Sequence, residues 1–169
     1  IRLSLVGSEM CIRDSGYAAD VPVIRELIEG LAEYEQLRHA CQATDALLQA
    51  SLFGERPCAE VVLAEWEGQV AGFALFFHNF STFLAKPGIY LEDLFVRPAL
   101  RGHGIGTALL VHLAHVAVQR GCGRLEWSVL DWNVDAIRFY EKLGARAQDA
   151  WTVYRVTGEA LTHLASGES

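Results

Sequence analysis

The sequence predicts one α/β (α+β) domain: a mixed, mostly antiparallel, twisted sheet of about six or seven strands with helices on both faces. Three observations predict it. Cys58 to Trp66 and Val70 to Asn79 are rich in β-branched and aromatic residues and straddle Glu67-Gly68, the pattern of a hairpin. Tyr90 to Val96 reads as a buried strand that passes, through a glycine-rich turn, into a long apolar helix from about Gly104 to Gln119. A second strand-then-helix passage follows, from Leu125 to Val129 and from Val134 to Gly144.

The elements follow in order. Residues 1–15, IRLSLVGSEMCIRDS, fit the rest poorly: there is no initial methionine and the apolar run is too short for a signal peptide. The string looks like adapter read-through of metagenomic origin, with a frayed natural terminus as the plainer alternative. We expect residues 1–15 to be non-native or disordered, with Ile12-Arg13 imitating a strand end by chance, and the domain to span residues 16–165. Asp20 can cap a first helix, and Pro22 sits in its first turn, where the missing N–H is harmless. Ile24, Leu27, Ile28 and Leu31 recur at helical spacing and should face the core. Tyr34 and Glu35 end this helix. Thr44 or Asp45 caps a short helix that Gly54 stops. After the hairpin, residues 80–88 read as a loop whose Phe83 and Lys86 could border a ligand mouth or pack on the surface. Arg97-Pro98 ends the Tyr90–Val96 strand, because proline donates no ladder hydrogen bond. Asn133 is a good N-cap for the last clear helix, and Gly144 closes it. Residues 149–156 read as a final strand, and the tail as a short ordered piece with a frayed end.

Composition sets bounds. At 169 residues and 51% hydrophobic, the chain is long enough for one sizeable core. No run of about 18 apolar residues is free of polar interruption, so no membrane partner is expected. The net charge of −7 argues against nucleic acid, which needs clustered lysine and arginine, and suits a cationic small substrate. Cys11, Cys41, Cys58 and Cys122 are scattered with no CxxC, as free thiols of a reducing, cytoplasmic setting would be. His112 and His115 share a helix face. With Gln119 they read as a solvated stripe and not a metal site, since no third ligand is placed.

The turn Arg101-Gly102-His103-Gly104-Ile105-Gly106-Thr107 carries the chemistry. A helix start leaves N–H groups unbonded under a positive dipole end, and glycines let an anion approach the backbone closely. The turn is therefore a candidate pyrophosphate cradle with Arg101 as its charged flank; a glycine-softened turn without ligand is the bland alternative. A dinucleotide fingerprint fails, because Thr107 stands where its third glycine belongs. A Walker loop fails for want of lysine. What does match is R-x-x-G-x-G, from Arg101 through Gly104 to Gly106, which resembles the acetyl-CoA signature of the GNAT superfamily of N-acetyltransferases. Trp132 to Gly144, W-N-x-x-A-I-x-F-Y-x-x-L-G, resembles the second motif of that family. Leu31-Ala32-Glu33-Tyr34-Glu35, Tyr90 to Val96 and Glu126 to Val129 are similar to its spermidine/spermine (diamine) and thialysine branch. The likeness covers roughly residues 17–160.

The resemblance implies a GNAT fold, acetyl-CoA as co-substrate with no metal, and a homodimer. It implies cofactor contacts from Leu94, Phe95 and Val96, from Arg101, Gly102, His103, Gly104, Ile105, Gly106 and Thr107, and from Asn133, Val134, Asp135, Ala136 and Tyr140. It places Tyr34, Glu35, Glu92, Asp93, Glu126, Trp127, Ser128 and Asp149 around the amine, some of them across a dimer interface. A solvated carboxylate at a helix end remains the alternative for Glu35.

The chemistry assigns two catalytic roles. The leaving thiolate must be stabilised or protonated, and the resemblance gives Tyr140 that task; a core tyrosine is the alternative. The amine must lose a proton, since an alkyl ammonium with a pKa of about 10.4 cannot attack. Side chains alternate along a strand, so Glu92 and Asp93 point to opposite faces. Glu92 is the one assigned to the amine, acting through water or by holding the cation, with a plain salt bridge as the alternative. No nucleophile is poised for an acyl-enzyme, so direct attack on the thioester is expected. Glu33, where the branch often has lysine, and Asp149-Ala150-Trp151, a shortened acidic turn, leave the acceptor open between a diamine, a polyamine and a thialysine-like amino acid. An aminoglycoside or a protein lysine is the first alternative, and a non-catalytic sensor of the same fold the second.

Overall fold

The computed structural model describes residues 2–5, 8–13 and 16–167, in two compact units, Ile1–Ser128 and Val129–Ser169. Of the segment 1–15, residues 1, 6, 7, 14 and 15 lie outside the described ones. The first unit holds a six-stranded sheet in sequential order: β1 (Arg2–Leu5), β2 (Ser8–Arg13), β3 (Glu60–Trp66), β4 (Gln69–Ser81), β5 (Lys86–Val96) and β6 (Leu125–Trp127). All neighbours are antiparallel except β5 and β6, which run parallel across the long helix between them. That mixed pattern agrees with the expected fold class.

Helices α1 (Val21–Tyr34) and α2 (Asp45–Phe53) cover one face. Ile24 and Leu27 of α1 and Leu52 of α2 join Val61, Leu63, Phe73 and Phe95 in one apolar cluster, with Ile28 and Leu31 at its margin. The helical spacing in the sequence is thus a true core stripe. Gly30 matters here, because a side chain at this position would meet the Phe95 ring at 3.1 Å. The glycine lets α1 lie close over β5. Helix α3 (Ile105–Gln119) covers the other face, with Ile105, Leu109 and Leu113 fully buried.

Several expectations need correction. Thr44 caps α2 as predicted, its hydroxyl accepting from the Leu47 N–H at 3.3 Å. Asp20 does not cap α1: its carboxylate is taken by Arg13, at 2.6 and 3.0 Å, and by the Tyr17 N–H at 2.6 Å. The loop expected over 80–88 is mostly strand, since Phe80 and Ser81 pair with Pro87 and Lys86. Pairing to β4 overrides the local signals of Pro87 and Gly88. His112 is buried, at 6% exposure, while His115 is exposed, so the two do not form a solvated stripe. Strand β6 stops at Trp127, short of Val129.

The second unit holds α4 (Val134–Lys142) and α5 (Gly158–Ser166). The strand expected over 149–156 does not form; residues 151–157 carry neither helix nor strand. An alternating pattern makes a strand only where a partner edge receives its hydrogen bonds, and among the described residues none pairs with this segment.

Candidate active site

Strand β5 carries an irregularity where it matters most. Leu75 faces Asp93 while the next residue, Phe76, faces Leu91, so Glu92 is an extra residue in β5. Such a bulge bends a strand and interrupts its ladder. Beyond it, Leu94, Phe95 and Val96 remain paired to β4 at Ala74, Phe73 and Gly72. On the other side β6 reaches only as far as Leu91, its partner for Trp127. Among the described residues, Leu94 to Val96 therefore have one strand edge paired and one open. Backbone groups on an open edge must find other partners, and an extended amide-bearing chain supplies them.

The cradle lies directly downstream. Gly102 and Gly104 both adopt left-handed backbone, φ 82° and 79°, and nothing stands within 4 Å of where a side chain would be. Gly104 is the N-cap of α3 and offers no side chain to it. Ala108 N–H already bonds Gly104 O at 2.9 Å, so the N–H groups of Ile105, Gly106 and Thr107 are the unbonded ones. An anion fits here without displacing protein atoms. His103 braces the turn from within: its Nδ1 lies 3.2 Å from Leu100 O and 3.1 Å from Arg101 O, and its ring stands 4.9 Å from that of Trp66. Arg101 donates from Nε to Val96 O at 3.1 Å, and its guanidinium lies 4.5 Å from the Tyr34 ring centre and 5.7 Å from that of Phe95. Phosphates, an amide-rich arm and a thioester match this surface, so the residues present fit CoA.

The α1 face of the sheet collects carboxylates. Register puts Asp93 on the same face as Leu75, whose side chain packs under α1. Burial, and then the charges of Glu92 and Glu35, push the Asp93 carboxyl up to about 6. Burial also raises Glu35. Like charges crowded in a half-dry site favour protonation of one of them. Glu92, the residue assigned to the amine, is exposed on the bulge. Further along the same face, Tyr90 pairs in register with Glu126, and the Tyr90 hydroxyl lies 2.8 Å from Ser128 Oγ. Glu126 accepts from Asn79 at 2.5 Å and lies 3.2 Å from Arg124. Trp127 alternates to the opposite face, opposite Leu91.

The structure thus brings Glu35, Glu92 and Asp93 into one electrostatic group and Glu126 with Ser128 into a neighbouring strip. Glu126 arrives already paired with a cation, the plain salt bridge that is the bland alternative for a carboxylate. Asn79 and Tyr90 were not among the candidate residues. Their signal is alternation: Asn79 shares a face with Phe77 along β4, and Tyr90 stands opposite Phe77 on β5.

The other candidates belong to the second unit. Asn133 Oδ1 accepts from the Ala136 N–H at 3.3 Å, the cap its sequence position predicts. Val134, Asp135 and Ala136 form the first turn of α4. Tyr140 stands seven residues after Asn133, on nearly the same helix face, its ring 5.3 Å from that of Phe139. Asp149 lies in a turn. Among the described residues, no group of three or more His, Cys, Asp or Glu could hold a metal, and no helix is long and apolar enough to cross a membrane.

Comparison with known proteins identifies the family. The model of the Acetyltransferase (GNAT) family matches residues 24–145. The thialysine N-epsilon-acetyltransferase of Mus musculus is 37% identical over 87% of this chain and 92% of its own length. An L-ornithine N5-acetyltransferase of Arabidopsis thaliana is 36% identical over 84% of this chain and 82% of its own. Among solved structures, an integron cassette protein from the mobile metagenome of V. cholerae superimposes with a TM-score of 0.78 at 29% identity, covering 92% of this chain and 97% of that one.

Proposed function

Because the chain belongs to the GNAT family of acetyltransferases, and so is an N-acetyltransferase that takes acetyl-CoA as co-substrate, we propose that its acceptor is a primary amine on a small cation. A diamine, a polyamine or a thialysine-like amino acid fits this reading. The observation that carries it is the crowding of Glu35, Glu92 and Asp93, with Asp93 pushed up to about 6. A buried carboxylate whose proton affinity is raised by two neighbouring carboxylates is stabilised in its charged form by a cationic guest. The names of the two relatives, an ornithine and a thialysine acetyltransferase, support the same class.

Bound acetyl-CoA supplies an acetyl thioester. The chain's own residues do the rest. The N–H groups of Ile105, Gly106 and Thr107, with Arg101, hold the phosphates, and the open edge of Leu94 to Val96 pairs with the pantetheine arm. Donors aimed where negative charge develops lower the barrier more than donors aimed at the resting carbonyl. Asn133, Val134, Asp135 and Ala136 complete the cofactor contacts. Glu92, through water, or Asp93, directly, accepts the ammonium proton, because a base with a pKa near the working pH is the efficient one. Tyr140 donates to the departing sulfur. Attack on the thioester is direct. Tyr34, Glu126, Ser128 and Asp149 line the remainder of the amine site, and Trp127, which alternates to the opposite face of the sheet, stands behind it. We further propose that residues 16–165 work as one domain, that residues 1–15 are non-native in sequence although β1 and β2 join the sheet, and that the enzyme is a cytoplasmic homodimer that binds no nucleic acid.

The test is release of free thiol from acetyl-CoA across an amine panel: diamines, spermidine, thialysine, ornithine, an aminoglycoside and a lysine peptide. Fast release with the small linear amines supports the reading. Release only with the aminoglycoside or the peptide overturns the acceptor class, and amine binding without release identifies a sensor.

A further inference from the structure

Two subsites of the enzyme meet at one aromatic ring. Tyr34 ends α1, and Glu35, the next residue, is one of the carboxylates that act on Asp93. Yet the Tyr34 ring itself lies against the cradle arginine, 4.5 Å from the Arg101 guanidinium carbon. Phe95, rooted in the core at 6% exposure, holds the same guanidinium from 5.7 Å. A hydrogen bond from Arg101 Nε to Val96 O, 3.1 Å long, fixes the third direction. The two terminal guanidinium nitrogens form no hydrogen bond with the described residues, so their donors are available to a phosphate.

An exposed arginine ordinarily samples many rotamers, and ordering it around an anion weakens binding. Stacking on an aromatic face removes much of that freedom beforehand, because the planar guanidinium keeps its edge donors while its face is occupied. We propose that Tyr34 is a positioning residue for the cofactor: its ring holds Arg101 at the mouth of the cradle, so that the end of α1 serves the CoA side of the site as well as the amine side. Tyr34 thus acts through Arg101. The inference rests on CoA occupying the cradle and not on which amine is acetylated.

Calorimetric binding of CoA, with no amine present, tests it. Tyr34→Leu keeps an apolar side chain at a partly exposed helix end but loses the ring face, and should weaken CoA binding about three- to tenfold. Tyr34→Phe, which keeps the ring, should stay within about twofold of the parent. In an Arg101→Gln background, Tyr34→Leu should have no further effect, the signature of a coupled pair. In steady state, the acetyl-CoA KM of Tyr34→Leu should rise in step with its CoA dissociation constant. Unchanged CoA affinity in Tyr34→Leu overturns the proposal, as does an equal loss in both backgrounds or a loss in Tyr34→Phe as large as in Tyr34→Leu. A parent protein that fails to bind CoA would instead overturn the cradle itself, and so is told apart from these results.

Discussion

Replacing Asp93 with asparagine should make the protein more stable at pH 8 while impairing its chemistry. The magnitude follows from the raised carboxyl. A free aspartate titrates near 3.9, and in the fold Asp93 is pushed up to about 6 by burial, then by Glu92 and Glu35. That difference of about two units, at about 1.4 kcal/mol each, amounts to about 3 kcal/mol, reduced to about 1–3 kcal/mol by the water that still reaches a half-buried group. The sign is set by proton binding. Between about pH 4 and pH 6 the folded state holds the Asp93 proton more firmly than the unfolded state, so stability falls as pH rises through that window. Below it both states are protonated and Asp93 is as neutral as asparagine; above it the full penalty stands. Thermal melts of Asp93→Asn should therefore match the parent at pH 4 and exceed it at pH 8 by about 2–12 °C, at about 2–4 °C per kcal/mol for a chain of this size. A saturating diamine should narrow the gap at pH 8, since its ammonium stabilises the ionised carboxylate that only the parent has. An equal shift at both pH values, or a lower melting temperature at pH 8, would refute the reasoning.

Three further outcomes are expected. Tyr140→Phe should lower turnover about ten- to a thousandfold with little change in either KM, as loss of a general acid does; unchanged single-turnover rates would remove Tyr140 from the mechanism. Gly104→Asn tests the cradle, because asparagine tolerates left-handed backbone while its side chain projects into the open space there. Its melting temperature should stay near the parent's while the acetyl-CoA KM, from initial rates, rises about tenfold or more, the scale of a few lost anion contacts. Gly72→Ala would bring a methyl to 2.5 Å from the Phe95 carbonyl oxygen, so urea unfolding should show a loss of about 1–3 kcal/mol.

Much of this site is legible in short stretches of sequence. Gly102 and Gly104 require left-handed backbone, and only residues without a side chain adopt it readily, so the cradle is announced locally. The Asn133 cap, the Thr44 cap and the apolar stripe of α1 are likewise matters of a few consecutive residues. Gly68, with φ 78°, suits the tight turn between β3 and β4, although Glu67 beside it must also take left-handed backbone, φ 50°, to close it. Where the sequence misleads, the deciding partner is distant. Phe80, Pro87 and Gly88 look like a loop until β4 and β5 pair along their whole length. Residues 149–156 look like a strand, yet none of the described residues pairs with them.

The carboxylates show the division most clearly. Alternation separates Glu92 from Asp93 in the sequence, but it cannot weigh them. That weight comes from a one-residue bulge against β4 and from Glu35 arriving at the end of α1, some sixty residues earlier in the chain. A left-handed glycine or a helix cap depends on the few residues that form it and so is written locally. Burial and charge at a point depend on every element packed around that point, and they come into being only when the chain has folded.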